Sequence, residues 1–403
     1  MKLAMDLYFR RIVCSGLEET EKGKPVLILA NHTNGFLDAL VVGAVAKRKP
    51  YFFTRGDAFK KKWADRFLRS IGLLPVYRLS EGKDNLQHND STNEEALNIL
   101  GQGGIVVIYA EGKSDVAKVL KPLKKGPFRL AVHAADVLGT APEIVPLGIN
   151  YVHPVKPFTT LYLQAGKAID LATFKGADEK EQAKASLQLM RQMDTILPRY
   201  AWNVTRPEDI LLADDLLDLQ EINSPSFEET QKLIERLNAL NETERADLHG
   251  QWKRFTALKQ QLRLANHDNR KQLNSAGILI GILGAIPALA GWAFHWLPIY
   301  FSKRLAGKLV KDADLYASVF LTGSLLFVLV WYLLLLPLMG VISGWSGLLV
   351  GLVVLPLAGV FYIKIYRNIL GRFKSALRLR RAMSVSAAET EAYLGLLNRL
   401  RSF

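Results

Sequence analysis

One cysteine, Cys14, stands alone in 403 residues, so the chain can close no internal disulfide and a secreted, disulfide-stapled scaffold is excluded. The start does not read as a cleavable leader either, because Asp6, Arg10, Arg11 and Glu18 break up any apolar core and no small-residue cleavage site follows. The N-terminus is therefore expected to stay on the protein. Repeats and low-complexity tracts are absent, which removes solenoid and linker readings. Acidic residues are scarce at one end: residues 276–403 contain only Asp312, Asp314, Glu389 and Glu391, against thirteen lysines and arginines. What is present, 49% hydrophobic and 22% charged residues with a net charge of +14, belongs to a folded chain long enough for two or three domains.

That last third is apolar as well as basic. Three stretches, 276–301, 317–339 and 345–363, carry no charge, and the second and third have the roughly 20 residues a helix needs to cross a hydrocarbon core. Both read as membrane spans. The first is interrupted by Pro287, Pro298 and repeated glycines, so it reads as a span or a re-entrant segment. Basic residues flank it on both sides, Lys259 and Arg263 before and Lys303 and Arg304 after, and Lys364, Arg367, Arg372 and Lys374 follow the third stretch. Only the turn Val341 to Gly344 is uncharged, so the positive-inside rule places it outside and favours the re-entrant form. Near the start, Leu3, Leu7, Tyr8, Ile12 and Val13 share one helical face, which fits either a helix lying on a membrane or one packed on its own domain.

From Pro25 the pattern is α/β. Strands are expected at 25–30, 51–54, 74–77, 105–109, 144–151 and 159–164, alternating with helices at 33–46, 58–70, 128–138 and one ending at Leu100. Past Phe174 only charged helical periodicity continues, to about Lys271. The expected organisation is an α/β domain over 1–174 with an N-terminal amphipathic helix and a mixed sheet flanked by helices. A helical region (175–274), a membrane region (275–363, with 275–301 re-entrant or spanning, 317–340 and 345–363 spanning) and a basic cytoplasmic helical tail (364–403) follow.

Four segments of the α/β domain carry chemistry. Asn31 to Asp38 lies where a strand gives way to a helix, a junction that exposes side chains and unpaired N–H groups. His32 there has the makings of a general base and Asp38 of its orienter, although helix starts also hold Asn, Thr and Asp simply as caps. Arg55 and Arg78 each follow a strand and could fork around a phosphate, or be solvated charges. Glu111, Gly112, Lys113 and Ser114 follow the strand ending at Tyr109; Glu111 could accept bonds from substrate hydroxyls, or the segment could be a polar turn. Gly112-Lys113-Ser114 is not a P-loop, because the earlier glycine that motif requires is missing. Val145 and Pro146 sit in an apolar strand that could line a channel for an acyl chain or thioester, or be plain core.

In order, these segments resemble the four blocks of the glycerophospholipid acyltransferase superfamily, the PlsC-type glycerol-3-phosphate and lysophosphatidate acyltransferases. The likeness spans about Val13 to Gly166. Asn31-His32 with Asp38 looks like the family's catalytic block, Gly72 to Arg78 like its second, Tyr109-Ala110-Glu111-Gly112 like its third and Val145-Pro146 like its fourth. Five residues separate His32 from Asp38 where the family usually has four, similar to the eukaryotic-type glycerol-3-phosphate subgroup. On an ideal helix the extra residue turns the two side chains apart by about 100°, so the helix must bulge or start late for them to meet. Ala110 and Lys113 also depart from the third block.

The resemblance implies an O-acyltransferase of phospholipid biosynthesis. It would move an acyl group from acyl-CoA or acyl-carrier protein to a hydroxyl of glycerol-3-phosphate, with no metal and no bound cofactor. His32 would be the base and Asp38 its orienter; Arg55, Arg78 and Lys113 would meet the phosphate; Glu111 would meet glycerol hydroxyls or hold Arg78. The implied setting is an integral membrane protein, its catalytic domain cytoplasmic, in the inner or cell membrane if the source is bacterial. A lysophosphatidate or other lysophospholipid acceptor is the alternative with the same chemistry. An anionic-lipid-binding scaffold is the alternative without any, and nucleic acid is not an expected partner, because much of the positive charge flanks apolar spans.

Overall fold

The computed structural model describes residues 1–21, 23–77, 88–176, 178–266 and 275–403. The chain divides into two compact units. The first comprises residues 1–2, 12–151 and 161–203, and the second residues 3–11, 152–160 and 204–403.

The first unit is built on an eight-stranded mixed sheet in the order β1-β7-β6-β2-β5-β3-β4, with β8 also on β6. Its strands are β1 (Arg11–Ser15), β2 (Val26–Ala30), β3 (Pro50–Arg55), β4 (Leu73–Val76), β5 (Ile105–Tyr109), β6 (Glu143–Tyr151), β7 (Thr160–Ala165) and β8 (Ile169–Asp170). Strands β6, β2, β5, β3 and β4 run parallel, whereas β7 and β8 pair antiparallel with β6. The unbroken apolar runs of β2 and β5, every residue buried, are what a parallel strand covered on both faces requires. Helices α2 (Gly35–Val45), α3 (Lys62–Ser70), α4 (His88–Gly101), α5 (Lys125–Val137) and α6 (Glu179–Ile196) complete the unit. One core joins Leu27, Leu29, Val106, Phe128, Leu189 and Met193, so α6 closes the α/β layer.

The N-terminal stretch departs from the amphipathic helix expected there. Helix α1 (Lys2–Tyr8) ends before Arg11, and Ile12 and Val13 lie on β1, which adds itself beside β7. Two β-branched side chains in succession fit a pleated edge as well as a helical face, and pairing decides the outcome.

In the second unit, helices α7 (Ile210–Gln220), α8 (Phe227–Ala239) and α9 (Glu242–Gln261) form a bundle with α15 (Ala387–Ser402). Capping boxes start α8 at Ser226 and Glu229 and α9 at Asn241 and Glu244. The rings of Phe255 and Tyr393 stack at 5.1 Å. The basic tail is therefore not loose: α15 returns to the bundle, and Tyr393 donates to the Ala265 carbonyl at 2.9 Å.

The apolar stretches are all helical. The first splits at Gly284 into α10 (Ser275–Leu283) and α11 (Ala285–Leu309), bent by 61°, while Pro298 is tolerated inside α11. The others form α12 (Ala313–Leu349), a π-helical turn, α13 (Leu355–Phe361), a second π-helical turn and α14 (Arg367–Val385). The whole run Ala313–Val385 is long and apolar enough to cross a membrane. Gly344, at φ +58° and ψ −142°, reverses it: a side-chain carbon on Gly347 would stand 2.2 Å from the Met339 carbonyl, so the two arms lie against each other. Polar groups join α11 to α12, with Ser302 donating to the Phe320 carbonyl at 2.7 Å and His295 bonded to the Tyr332 hydroxyl at 2.9 Å.

Candidate active site

Parallel strands end along a common edge, and the α/β sequence returns to that edge after every helix. The register sets Ala30 of β2 opposite Tyr109 of β5 and Leu147 of β6. The residues that follow β2 and β5 therefore meet: the His32 backbone N–H donates to Glu111 Oε1 at 3.3 Å, and the His32 carbonyl accepts from the Asp115 N–H at 3.0 Å. Asn31 ties β2 to β6, its side chain accepting from the Ile149 N–H at 2.7 Å and donating to the Ile149 carbonyl at 3.0 Å.

His32 Nδ1 lies 2.9 Å from Asp38 Oδ2. The spacing problem is resolved at the helix start. Residues 32–34 stand outside the helix, α2 begins only at Gly35, and Asp38 falls on its fourth residue, so the imidazole reaches across the first turn. Gly35 permits this entry with φ at +34°, where side chains are strained. A Gly35→Ala variant is expected to lose about 1 kcal/mol of stability in denaturant titration and to displace His32 from Asp38, lowering turnover too.

Asp38 is fully buried yet saturated. Its Oδ2 also accepts from the backbone N–H groups of Thr33 and Asn34, each at 2.9 Å, and its Oδ1 accepts from the Tyr151 hydroxyl at 2.7 Å. These donors fix the carboxylate, which as an acceptor fixes the His32 proton on Nδ1 and leaves Nε2, without a partner among the described residues, as the proton acceptor. The Tyr109 ring stacks on the imidazole at 4.0 Å and 7°. Burial, and then the Asp38 charge, pushes the Tyr109 hydroxyl well above its ordinary range.

Glu111 has no comparable shell. Among the described residues its carboxylate receives only the long His32 and Lys121 backbone bonds, at 3.3 and 3.4 Å. Burial raises its pKa to about 7, although those two bonds and the Lys121 charge pull the other way. An unfolded glutamate titrates near 4.3, so the folded state holds the proton longer and stability falls as pH rises from about 4.3 to about 7, by an amount of order 3 kcal/mol. Glu111→Gln is expected to flatten that slope, read as unfolding free energies measured at about pH 5 and about pH 8. An unchanged slope would refute it.

A crevice of about 10 Å³ opens at this point, lined among others by His32, Glu111, Asp115, Lys118, Ile149 and Trp202. The segment after α6 forms part of its wall. The Asn150 side chain donates to the Tyr200 carbonyl at 2.9 Å and accepts from the Trp202 N–H at 2.8 Å, and the Asn203 side chain accepts from the Leu120 N–H at 3.0 Å. Lys121 pairs with Asp115 at 2.8 Å and Lys118 Nζ stands 5.9 Å from the Trp202 ring centre.

Of the residues singled out from sequence, His32, Asp38 and Glu111 come together. Gly112 turns the loop beside Glu111 at φ +71°, Lys113 is exposed, and the Ser114 carbonyl accepts from Lys121 at 3.5 Å. Arg55 ends β3, two strands from β2, and pairs with Asp57 at 2.6 Å on the surface. Val145 and Pro146 are buried in the middle of β6, opposite Ile28 and Leu29, and do not line the crevice. Arg78 lies outside the described residues. Sequence reasoning missed Tyr151, Lys118 and Trp202. Among the described residues no cluster of three or more histidine, cysteine, aspartate or glutamate side chains could hold a metal ion.

A histidine oriented by a buried carboxylate at the carboxyl edge of a parallel sheet equips this unit for general-base catalysis on a hydroxyl. Residues 11–150, most of the α/β domain, match the family described as Acyltransferase, the stretch that holds the four ordered segments read from the sequence. Among solved structures, the chain is similar to the 1-acyl-sn-glycerophosphate (LPA) acyltransferase PlsC from Thermotoga maritima, with 17% identity and a TM-score of 0.33, over 48% of this chain and 74% of that one. Comparison with curated proteins gives no match.

Proposed function

We propose that this acyltransferase moves a fatty acyl group from acyl-CoA or acyl-carrier protein to a hydroxyl of glycerol-3-phosphate, as a step in phospholipid synthesis at a membrane. The observation that carries the reading is the 2.9 Å contact of His32 Nδ1 with a carboxylate already held by two N–H groups and a tyrosine. His32 Nε2 takes the proton from the acceptor hydroxyl, and the developing alkoxide attacks the thioester carbonyl. The tetrahedral oxyanion collapses to the ester, expelling a thiolate that recovers the proton from the imidazolium. Asp38 stabilises the imidazolium and keeps its orientation. Glu111 meets the glycerol hydroxyls, and Arg78 and Lys113 supply cations for the phosphate; Lys118, in the crevice wall, adds a further one. The spacing of His32 and Asp38, similar to that of the eukaryotic-type glycerol-3-phosphate enzymes, favours that acceptor. The two arms of the Gly344 hairpin are membrane spans, the bent α10–α11 pair is re-entrant, and the basic flanks face the cytoplasm with the catalytic unit.

The test is thiol release and labelled-lipid formation by the detergent-purified chain with glycerol-3-phosphate, dihydroxyacetone phosphate or lysophosphatidate. Product from glycerol-3-phosphate supports the assignment. Product from lysophosphatidate alone keeps the chemistry and moves the acceptor, and no product from any acceptor with either thioester rejects the reading.

A further inference from the structure

A cavity of about 630 Å³ in the second unit is bounded by Arg10, the loop around Phe158, the start of α14 and the residues after α9. Five lysine or arginine side chains line it, Arg10, Lys156, Lys259, Arg367 and Lys374, against two carboxylates. Both carboxylates are engaged. Asp218 is bonded to His153 and to Asn266, each at 2.7 Å, and Glu221 accepts from the Thr160 N–H at 2.7 Å with Arg10 at 3.6 Å. No carboxylate among the described residues pairs with Lys156, Arg367 or Lys374, so the cavity keeps a surplus of positive charge.

Two features of the lining point to an occupant. Thr159 is 2% exposed, and its hydroxyl has no hydrogen-bond partner among the described residues, which is costly unless a ligand supplies one. Phe158 holds φ at +65°, a strained conformation for an aromatic residue, and its ring lies 4.5 Å beneath the Arg367 guanidinium. Arg367, Gly371 and Lys374 follow one another at helical spacing on α14, where the apolar run gives way to charge. In a membrane helix that is the depth of the phosphate headgroups.

We propose that this cavity binds the phosphodiester headgroup of an anionic glycerophospholipid, with Arg367 and Lys374 on the phosphate and the Thr159 hydroxyl completing its hydrogen bonds. The proposal rests on the membrane reading above. It is tested with the full chain in detergent by titration with a fluorescent short-chain phosphatidylglycerol, which is neither acceptor nor product of the proposed reaction. An Arg367→Gln/Lys374→Gln variant is expected to bind about tenfold more weakly, and Lys156→Gln, on the surface loop, to weaken binding as well. His32→Ala should bind like the parent, which separates the cavity from the active site. Unchanged affinity in both charge variants, each shown to be folded by its thermal transition, overturns the proposal. Displacement of the probe by inorganic phosphate or coenzyme A at concentrations matching its own Kd would assign the cavity to a soluble phosphate compound and overturn the lipid source. Resistance to alkaline carbonate extraction, measured in parallel, reports on the membrane reading alone.

Discussion

His32→Ala is expected to lower kcat for acyl transfer about 10³-fold while leaving KM for the thioester near its parent value, a barrier increase of about 4 kcal/mol. In the proposed mechanism the imidazole takes the hydroxyl proton, and general-base catalysis is worth that much when the base is pre-oriented. Among the described residues its side chain is bonded to Asp38 and stacked on the Tyr109 ring, so removing it should leave the thermal transition almost unmoved. Steady-state kinetics beside a melting curve decide the matter: a folded variant as fast as the parent would remove His32 from the chemistry. Partial recovery with added imidazole would place the deficit in proton transfer.

The second large effect is expected from Asp38→Asn, about 10²-fold on kcat with little change in fold. An asparagine oxygen can stand where Oδ2 stands, accepting from His32, Thr33 and Asn34 as before. Its amide nitrogen then faces Tyr151, whose hydroxyl rotates to accept. The hydrogen bonds survive and the negative charge does not, so the imidazolium formed during proton transfer loses its counter-ion. Asp38→Ala, by contrast, strands four donors in a buried site and should also lower stability by several kcal/mol. The contrast between the two variants separates charge from architecture, and equal rates for Asp38→Asn and the parent would dismiss Asp38 as more than a cap.

The contact of His32 with Asp38 was readable because the two are local, six positions apart at one strand-to-helix junction. The strands were readable for a similar reason, since runs such as Val26 to Ala30 and Ile105 to Tyr109 are continuous, apolar and bounded by polar turns. What escaped depends on strand order. Tyr151 meets Asp38 only because β6 pairs with β2, and nothing within Glu143 to Tyr151 announces that neighbour. Trp202 gave no signal at all, being brought back by the fold after a long helix. Ile12 and Val13 were read as part of a helical face, and strand pairing overrode that reading. The late start of α2 was anticipated as one of two ways to close a five-residue gap, and Gly35 is the residue that makes it possible.

The return of residues 197–203 bears on where the α/β unit can be cut. Strands cease at Asp170, and a boundary drawn at 174 looks natural, yet Asn150 is bonded to Tyr200 and Trp202, and Leu120 to Asn203. A fragment trimmed at 174 would lose a wall of the crevice and open three backbone or side-chain bonds at the rim. A fragment meant to keep the crevice whole must run to Asn203, where the first compact unit ends.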